Sequence, residues 1–326
     1  MLGFRSDFSE HAPNSVSLPT EMAIMKKQNM VLAVAAFALT ATVFLLCTAT
    51  RPTSASPSAS MRRPHETSLP TVPERADFCG EEAPLDRQDI FECMDREIIS
   101  NTFLHSNTLL VIKRSGRVFP QIEPILAEYG IPADMKYLCV AESNLQPTAK
   151  SPAGAAGLWQ FMEVTAKEYG LRVNDEIDER LDVVKSTRAA CRMLRANYQK
   201  LGSWTLVAAS YNGGLTRVRK NIEQQRQADY YDIHWAEETR RYVFRIMALK
   251  AIMTSPSDYG FDIGQDDMYR PYDTREAQLP TPMADLPQWA KDNGTTYRAL
   301  RLLNPWLLKP QLKNAQDTLT VLLPKE

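Results

Sequence analysis

Apolar residues recur at helical spacing through the middle of this chain, and one acid interrupts the pattern. From 119 to 258 one periodic segment follows another, with capping residues between them. Gly130 closes one segment, and Pro132 stands where a first helical turn tolerates proline. In the next helix the core-facing stripe is Met135, Leu138, Cys139 and then Glu142. A carboxyl group on such a stripe loses water, so its pKa should rise. An acid that stays protonated near neutral pH can protonate a leaving group. The plainer alternative is a helix end whose last side chain bends out to solvent.

Further helices are expected over 91–101, 158–169 closed by Gly170, 182–201 closed by Gly202, 204–211 capped by Ser203, 215–223 and 237–254. No strand-rich region interrupts this series, which predicts an all-α core. The end of the chain reads differently. Residues 264–282 are polar and broken by prolines, 286–292 and 296–303 resemble short helices, and 318–323 alternates like a strand. The fold class expected is therefore mainly α, with a small α+β unit at the C-terminal end.

The N-terminal pattern points to export. Lys26 and Lys27 precede an apolar run from about Met30 to Ala49. At about 20 residues such a run just spans a bilayer, and the positive charge before it favours an exported remainder. A cleaved signal peptide has a similar layout, so cleavage and anchoring both stay open. Residues 51–75 are rich in Ser, Pro and Thr and read as a flexible linker. The domains expected are an extension with signal or anchor over 1–50, the linker over 51–75, a helical domain over 76–260 and a small unit over 270–326.

Composition adds exclusions. The 326 residues are 44% hydrophobic and 24% charged, as in ordinary globular proteins. A formal net charge of -1 gives no global attraction to nucleic acid. No zinc-type Cys/His spacing and no Gly-rich phosphate loop is present, so no metal and no cofactor are expected. Cys79, Cys93, Cys139 and Cys191 follow the apolar run. In an exported chain they permit disulfides, with Cys79–Cys93 and Cys139–Cys191 the favoured pairing. The alternative is that Cys139 and Cys191 are small buried apolar residues.

The residues after Glu142 narrow the chemistry. Ser143, Pro147 and Ser151 lead to Gly154-Ala155-Ala156-Gly157-Leu158-Trp159-Gln160, a segment poor in bulky side chains before Leu158. Gln160 is expected to open the next helix beside Trp159, Phe161 and Met162, and amides with aromatic faces suit sugars. Ser210-Tyr211-Asn212-Gly213-Gly214 ends an apolar helix, and Glu238-Thr239 with Tyr242 starts another. A helix C-cap explains the glycines and Asn212 but not Tyr211. Glu238 also has a plain reading as a favourable charge at a helix N-terminus.

Together these segments resemble the lytic transglycosylases of the soluble-lytic-transglycosylase type, including their membrane-bound murein members. That family carries Glu-Ser, Gly-x-x-Gly-Leu-x-Gln, Ala-Tyr-Asn and Glu-Thr-x-x-Tyr in this order. All four occur here between Glu142 and Tyr242, with Ser210 replacing the alanine and Glu163 standing where proline is common. The likeness covers about 119–259. It implies a lysozyme-like catalytic domain with Glu142 as acid/base. It also implies a substrate site of Ser151, Gln160, Met162, Tyr211, Asn212, Glu238 and Tyr242. The partner implied is the peptidoglycan glycan strand, in the periplasmic cell envelope, with no nucleic acid partner and no stated oligomeric state.

The C-terminal unit resembles a LysM domain through Leu286, Ala290, Asn293-Gly294, Leu300, Leu303-Asn304 and Leu323-Pro324. The usual Gly-Asp-Thr opening is replaced by Thr281-Pro282-Met283. Glycan binding and a packing extension of the helical domain are the two readings of this unit. For the whole chain, the rival readings are a goose-type-lysozyme-like hydrolase and a non-catalytic murein-binding protein. Asp175, Asp178 and Glu163 are the candidates for a second carboxylate, and each reads as a surface or capping group.

Overall fold

A helix that is apolar on most of its faces must sit inside other helices. Here that helix is Glu237–Thr254, in which Tyr242, Val243, Phe244, Ile246, Met247, Ala248, Leu249 and Ile252 are all buried. The computed structural model describes residues 69–315 and 317–325, which belong to one compact unit. The expected extension over 1–50 and the linker up to residue 68 lie outside the described residues. Among the described residues no helix is long and apolar enough to cross a membrane.

The helices, in chain order, are α1 Gln88–Phe103, α2 His105–Glu128, α3 Met135–Ser143, α4 Glu163–Glu168 and α5 Val183–Leu201. They continue with α6 Trp204–Gly213, α7 Leu215–Gln225 and α8 Glu237–Thr254. The central α8 packs against α1, α3 and α6, while α2 packs against α5. A short hairpin, β1 Asp77–Phe78 and β2 Glu81–Glu82, precedes α1. Its Glu81 carboxylate accepts from the Thr205 amide at 2.9 Å and from Ser203 Oγ at 2.8 Å. An acid at the open amides of α6 favours that helix end, and α6 carries Tyr211 and Asn212.

Two helices differ from expectation. The series was expected from 119 onward, yet α2 begins at His105 and contains Pro120 and Pro124. Its buried stripe of Thr108, Val111, Ile112, Ser115, Val118, Ile122, Ile125 and Leu126 runs through both prolines. Each proline is exposed, so the lost backbone bonds face water. The helix expected over 158–169 is only α4, for the reason given with the site below.

All four cysteines in the described residues are free, so the favoured disulfide pairing is not formed. Cys139 and Cys191 are fully buried, and burial pushes both thiols up. They pack as small apolar side chains.

The last residues form β3 Thr274–Leu279, α9 Leu286–Asp292, α10 Tyr297–Leu303 and β4 Leu319–Pro324. Strand β3 pairs antiparallel with β4, from Thr274 opposite Pro324 to Leu279 opposite Leu319. Sequence reading missed β3 because only Leu279 of its residues is buried; an edge strand with one dry position has no apolar alternation. This unit has its own core of Leu279, Leu286, Leu300, Leu312, Val321 and Leu323. Ala156, Ile177 and Leu181 of the helical part join that core.

One buried ion cluster ties α1 to α8. Glu97 is 1% exposed and accepts from Arg241 Nε at 2.7 Å, with Arg96 Nε at 3.4 Å and Arg245 Nε at 3.6 Å. Removing the acid leaves three guanidinium groups facing one another. Glu97→Ala is expected to cost roughly 3 kcal/mol in urea unfolding, and an unchanged midpoint would contradict this.

Candidate active site

Glu142 lies in the last turn of α3, above the buried Met135, Leu138 and Cys139. The helix stops at Ser143. Asn144 and Leu145 then take left-handed conformations, with φ of 51° and 56°, so the chain turns away directly after the acid. From α2, Arg114 Nη1 donates to the Asn144 carbonyl at 3.1 Å and holds that turn.

Glu142 is half-buried. Burial pushes its carboxyl up to about 7. The Tyr242 hydroxyl, which donates to Glu142 Oε1, and the charge of Arg245 oppose that rise, while the charge of Glu238 adds to it. Burial thus outweighs the hydrogen bond and the nearby cation.

The raised pKa has a stability consequence. The folded state holds this proton more tightly than the unfolded chain does. Its contribution is fully present below the unfolded value of 4.5 and is lost as pH rises through about 7. Glu142→Gln should therefore leave the melting temperature nearly unchanged at acid pH. Above pH 7 it should stabilise the protein by roughly 1–3 kcal/mol. Melting curves of both proteins across this range test it, and equal curves throughout would contradict the buried-acid description.

Tyr242 and Tyr211 both have hydroxyls pushed well above their ordinary pKa by burial, with the Glu142 charge adding to it. Tyr211 donates to the Trp159 carbonyl at 2.6 Å. Trp159 is itself fully buried and donates from Nε1 to Thr187 Oγ1 on α5 at 2.9 Å. Asn212 Oδ1 accepts from Thr239 Oγ1 at 3.0 Å, and Asn212 Nδ2 donates to Glu238 Oε1 at 3.4 Å. The ends of α3, α6 and α8 thus bring Glu142, Tyr211, Asn212, Glu238 and Tyr242 together.

Gln160 does not open a helix. Ala156 and Phe161 exchange backbone bonds of 3.0 and 3.1 Å across a tight turn, with φ of 83° at Gly157 and 48° at Gln160. The apolar Leu158, Trp159 and Phe161 are buried because this turn folds inward. That mimics helical spacing over a few residues. Gln160 Nε2 donates to the carbonyls of Gly157 at 2.8 Å and Ala149 at 3.2 Å. Its side-chain nitrogen therefore braces the loop.

Ser151 Oγ accepts from the Ala155 amide at 3.0 Å and likewise shapes the loop. Met162 is 46% exposed immediately before α4. Among the described residues no hydrogen bond joins Ser151 or Met162 to Glu142.

The candidate second carboxylates are all occupied elsewhere. Glu163 pairs with Lys167 at 2.6 Å and Asp175 with Lys309 at 2.5 Å. Asp178 is buried rather than superficial and pairs with Arg180 at 2.9 Å. The carboxylate that acts on Glu142 is the exposed Glu238. A separate cavity lies among Arg87, Cys93, Tyr230, Trp235 and Arg240 and contains none of the candidate residues. Its arginines pair with Asp89, Asp232 and Glu237, which leaves no free charge for a ligand.

Sequence reading overlooked Arg180, Arg245 and Glu97. For Glu97 a signal existed: Ile90, Cys93, Met94, Glu97, Ile98 and Asn101 form a buried stripe of the kind that singled out Glu142.

Comparison with known proteins finds two family matches along the chain. Residues 123–234 match the Transglycosylase SLT domain family, and residues 275–326 match the Soluble lytic transglycosylase C-terminal LysM-like domain family. The chain is 29% identical over 257 residues to membrane-bound lytic murein transglycosylase D of Escherichia coli K12, covering 76% of this chain and 55% of that protein. It is 37% identical over 109 residues to a peptidoglycan transglycosylase of Escherichia phage T7, covering 32% of this chain and 8% of the phage protein. The chain thus spans about half the length of the first of these relatives. Among solved structures, an inactive mutant of lytic transglycosylase Slt from Pseudomonas aeruginosa overlaps with a TM-score of 0.36 at 20% identity, covering 47% of this chain and 26% of that one. Two domains are thus marked along the chain: residues 123–234 match an SLT transglycosylase domain, and residues 275–326 match a LysM-like C-terminal domain.

Proposed function

We propose that the protein is a peptidoglycan lytic transglycosylase in which Glu142 alone serves as acid and then as base. The reaction is cleavage of the β-1,4 bond between N-acetylmuramic acid and N-acetylglucosamine, leaving a 1,6-anhydro end. The observation that carries this reading is the Glu142 carboxyl, half-buried, bonded by Tyr242 and pushed up to about 7. Near neutral pH such a group is populated in both protonation states, as a group that gives and retakes a proton requires.

In the first step Glu142 protonates the bridging oxygen, and the bond from C1 of the muramic residue to that oxygen breaks. C1 becomes oxocarbenium-like. The Tyr211 hydroxyl hydrogen is engaged by the Trp159 carbonyl, so its oxygen lone pairs remain to stabilise positive charge, together with the substrate's own acetamido oxygen. In the second step the Glu142 carboxylate takes the proton of the 6-hydroxyl as that oxygen bonds to C1. The proton count closes on Glu142, and no water is consumed. Gln160, Ser151 and Met162 serve the sugar site, Asn212 orients Glu238, and Tyr242 orients the acid.

A second reading, a hydrolase with water as acceptor, draws on one observation: the exposed Glu238 carboxylate acts electrostatically on Glu142. There Glu238 would activate water. Counting reducing ends released from purified murein separates the two. The transglycosylase reading expects soluble glycan without new reducing ends, and stoichiometric reducing ends would replace it with the hydrolase.

The division into an extension over 1–50, a linker over 51–75, a catalytic domain over 76–260 and a glycan-binding unit over 270–326 belongs to the same proposal. So does action on glycan strands in the cell envelope, reached through export or anchoring by the N-terminal apolar run.

A further inference from the structure

The C-terminal unit makes its densest polar contact with one short stretch of the helical part. Glu176 is buried, and its carboxylate accepts from the amides of Lys313 and Asn314 and from Asn314 Nδ2, each at 3.0 Å. Main-chain bonds flank it: the Leu308 amide donates to the Glu176 carbonyl at 2.7 Å, and the Asp178 amide donates to the Trp306 carbonyl at 2.9 Å. Ile177 bridges Leu307 between them. A docking surface needs only apolar burial. These bonds fix position as well, since a carboxylate holding three donors has little freedom to slide.

Arg180 begins where this grip ends. It is buried, pairs in two-point fashion with Asp178, and donates from Nη1 to the carbonyls of Gly154 at 2.9 Å and Phe161 at 3.1 Å. Gly154 and Phe161 are the two ends of the loop that carries Gln160. Ala156, inside the loop, is buried in the core of the C-terminal unit.

We infer that the C-terminal unit anchors the catalytic loop: residues 306–314 grip 176–178, and Arg180 passes that grip to both ends of 154–161. Glu176 and Arg180 are then positioning residues, acting on the sugar site through Gln160 without touching substrate. The catalytic arm of this inference rests on the transglycosylase reading; the mechanical arm does not.

The test uses the full chain as wild type, Glu176→Ala and Glu176→Gln, with two readouts. The first is amide hydrogen exchange over 154–161. Losing a charged acceptor with three donors should raise exchange at Ala156 and Phe161 at least about tenfold. Exchange in α3 should stay as in wild type. The second is turnover on soluble glycan strands. Loop displacement should lower kcat by about tenfold to a hundredfold with KM little changed. Glu176→Gln, which keeps one carbonyl acceptor, should restore much of both.

Faster exchange confined to 306–314, with 154–161 and kcat as in wild type, would overturn the inference. So would a raised KM at constant kcat, which would make the unit a glycan binder only. If Glu176→Ala unfolds, Asn314→Ala removes fewer of the bonds and decides by the same readouts. Wild-type protein that leaves glycan strands intact would sink the transglycosylase reading, and the exchange result would still decide the anchor.

Discussion

Glu142→Gln is expected to abolish cleavage of murein, lowering turnover by about a thousandfold or more while fold and glycan binding persist. General acid–base catalysis by one group contributes roughly 10²–10⁴-fold, and here the same group acts in both steps. The substitution is nearly isosteric. Gln still accepts the Tyr242 hydroxyl, so the end of α3 and the contact with α8 have no reason to move. The change removes a group able to release and retake a proton and nothing else of comparable size. Purified murein in a turbidity assay reads the effect, with circular dichroism as the check on fold. Activity within about tenfold of wild type would remove Glu142 from the chemistry.

Gly157→Ala should have the largest effect on stability. Gly157 has a φ of +83°, where an alanine is strained, and an added Cβ would lie 1.8 Å from the Arg180 carbonyl oxygen. That oxygen is backbone, in a stretch held by the Asp178–Arg180 pair and by the C-terminal unit, so it cannot swing aside as a side-chain tip would. The loop or the 178–181 segment must shift. A cost of about 4 kcal/mol is expected, at the upper end of single substitutions. The residual folded protein should also turn over slowly, because Gln160 Nε2 donates to the Gly157 carbonyl. Urea unfolding gives the first quantity, and a loss below about 1 kcal/mol would show that the loop yields. The contrast with Gly154 is informative: it has a φ of +90° but nothing within 4 Å of an added Cβ.

Helix identity was legible where an apolar stripe meets a capping residue. The limits read for 237–254 and 286–292 coincide with α8 and α9, and Asp182, Ser203 and Thr296 cap helices in the structure as such residues do. Legibility failed where long-range contact decides local shape. The 158–169 segment has helical spacing, yet the close approach of Gly157 to Arg180 and the burial of Trp159 against Thr187 bend its first half into a turn. Strand β3 exists because β4 pairs with it from far along the chain, from Thr274 opposite Pro324 to Leu279 opposite Leu319.

The site shows the same division. A glutamate on an apolar stripe was visible for Glu142, but the same criterion selects Glu97. What separates them is partners distant in sequence. Arg241 and Arg96 pair with Glu97 and make it a structural ion-pair partner, whereas Glu142 accepts the hydroxyl of Tyr242 and has a carboxyl pushed up to about 7. The four ordered motifs supplied what spacing alone lacked. They brought Tyr242 into the candidate set, and the structure adds its bond to the acid. Nothing local in the sequence marks Arg180 or Glu176 as loop supports, because their importance lies in carbonyls and amides contributed by other segments.

The central claim, one acid that closes a 1,6-anhydro ring, is tested most directly by mass spectrometry of the products formed from purified murein by the wild-type protein and by Glu142→Gln. The account predicts muropeptides lighter by one water than the reducing-end forms, present with the wild type and absent with the variant. Reducing-end products from the wild type, or anhydro products that persist with Glu142→Gln, would contradict it.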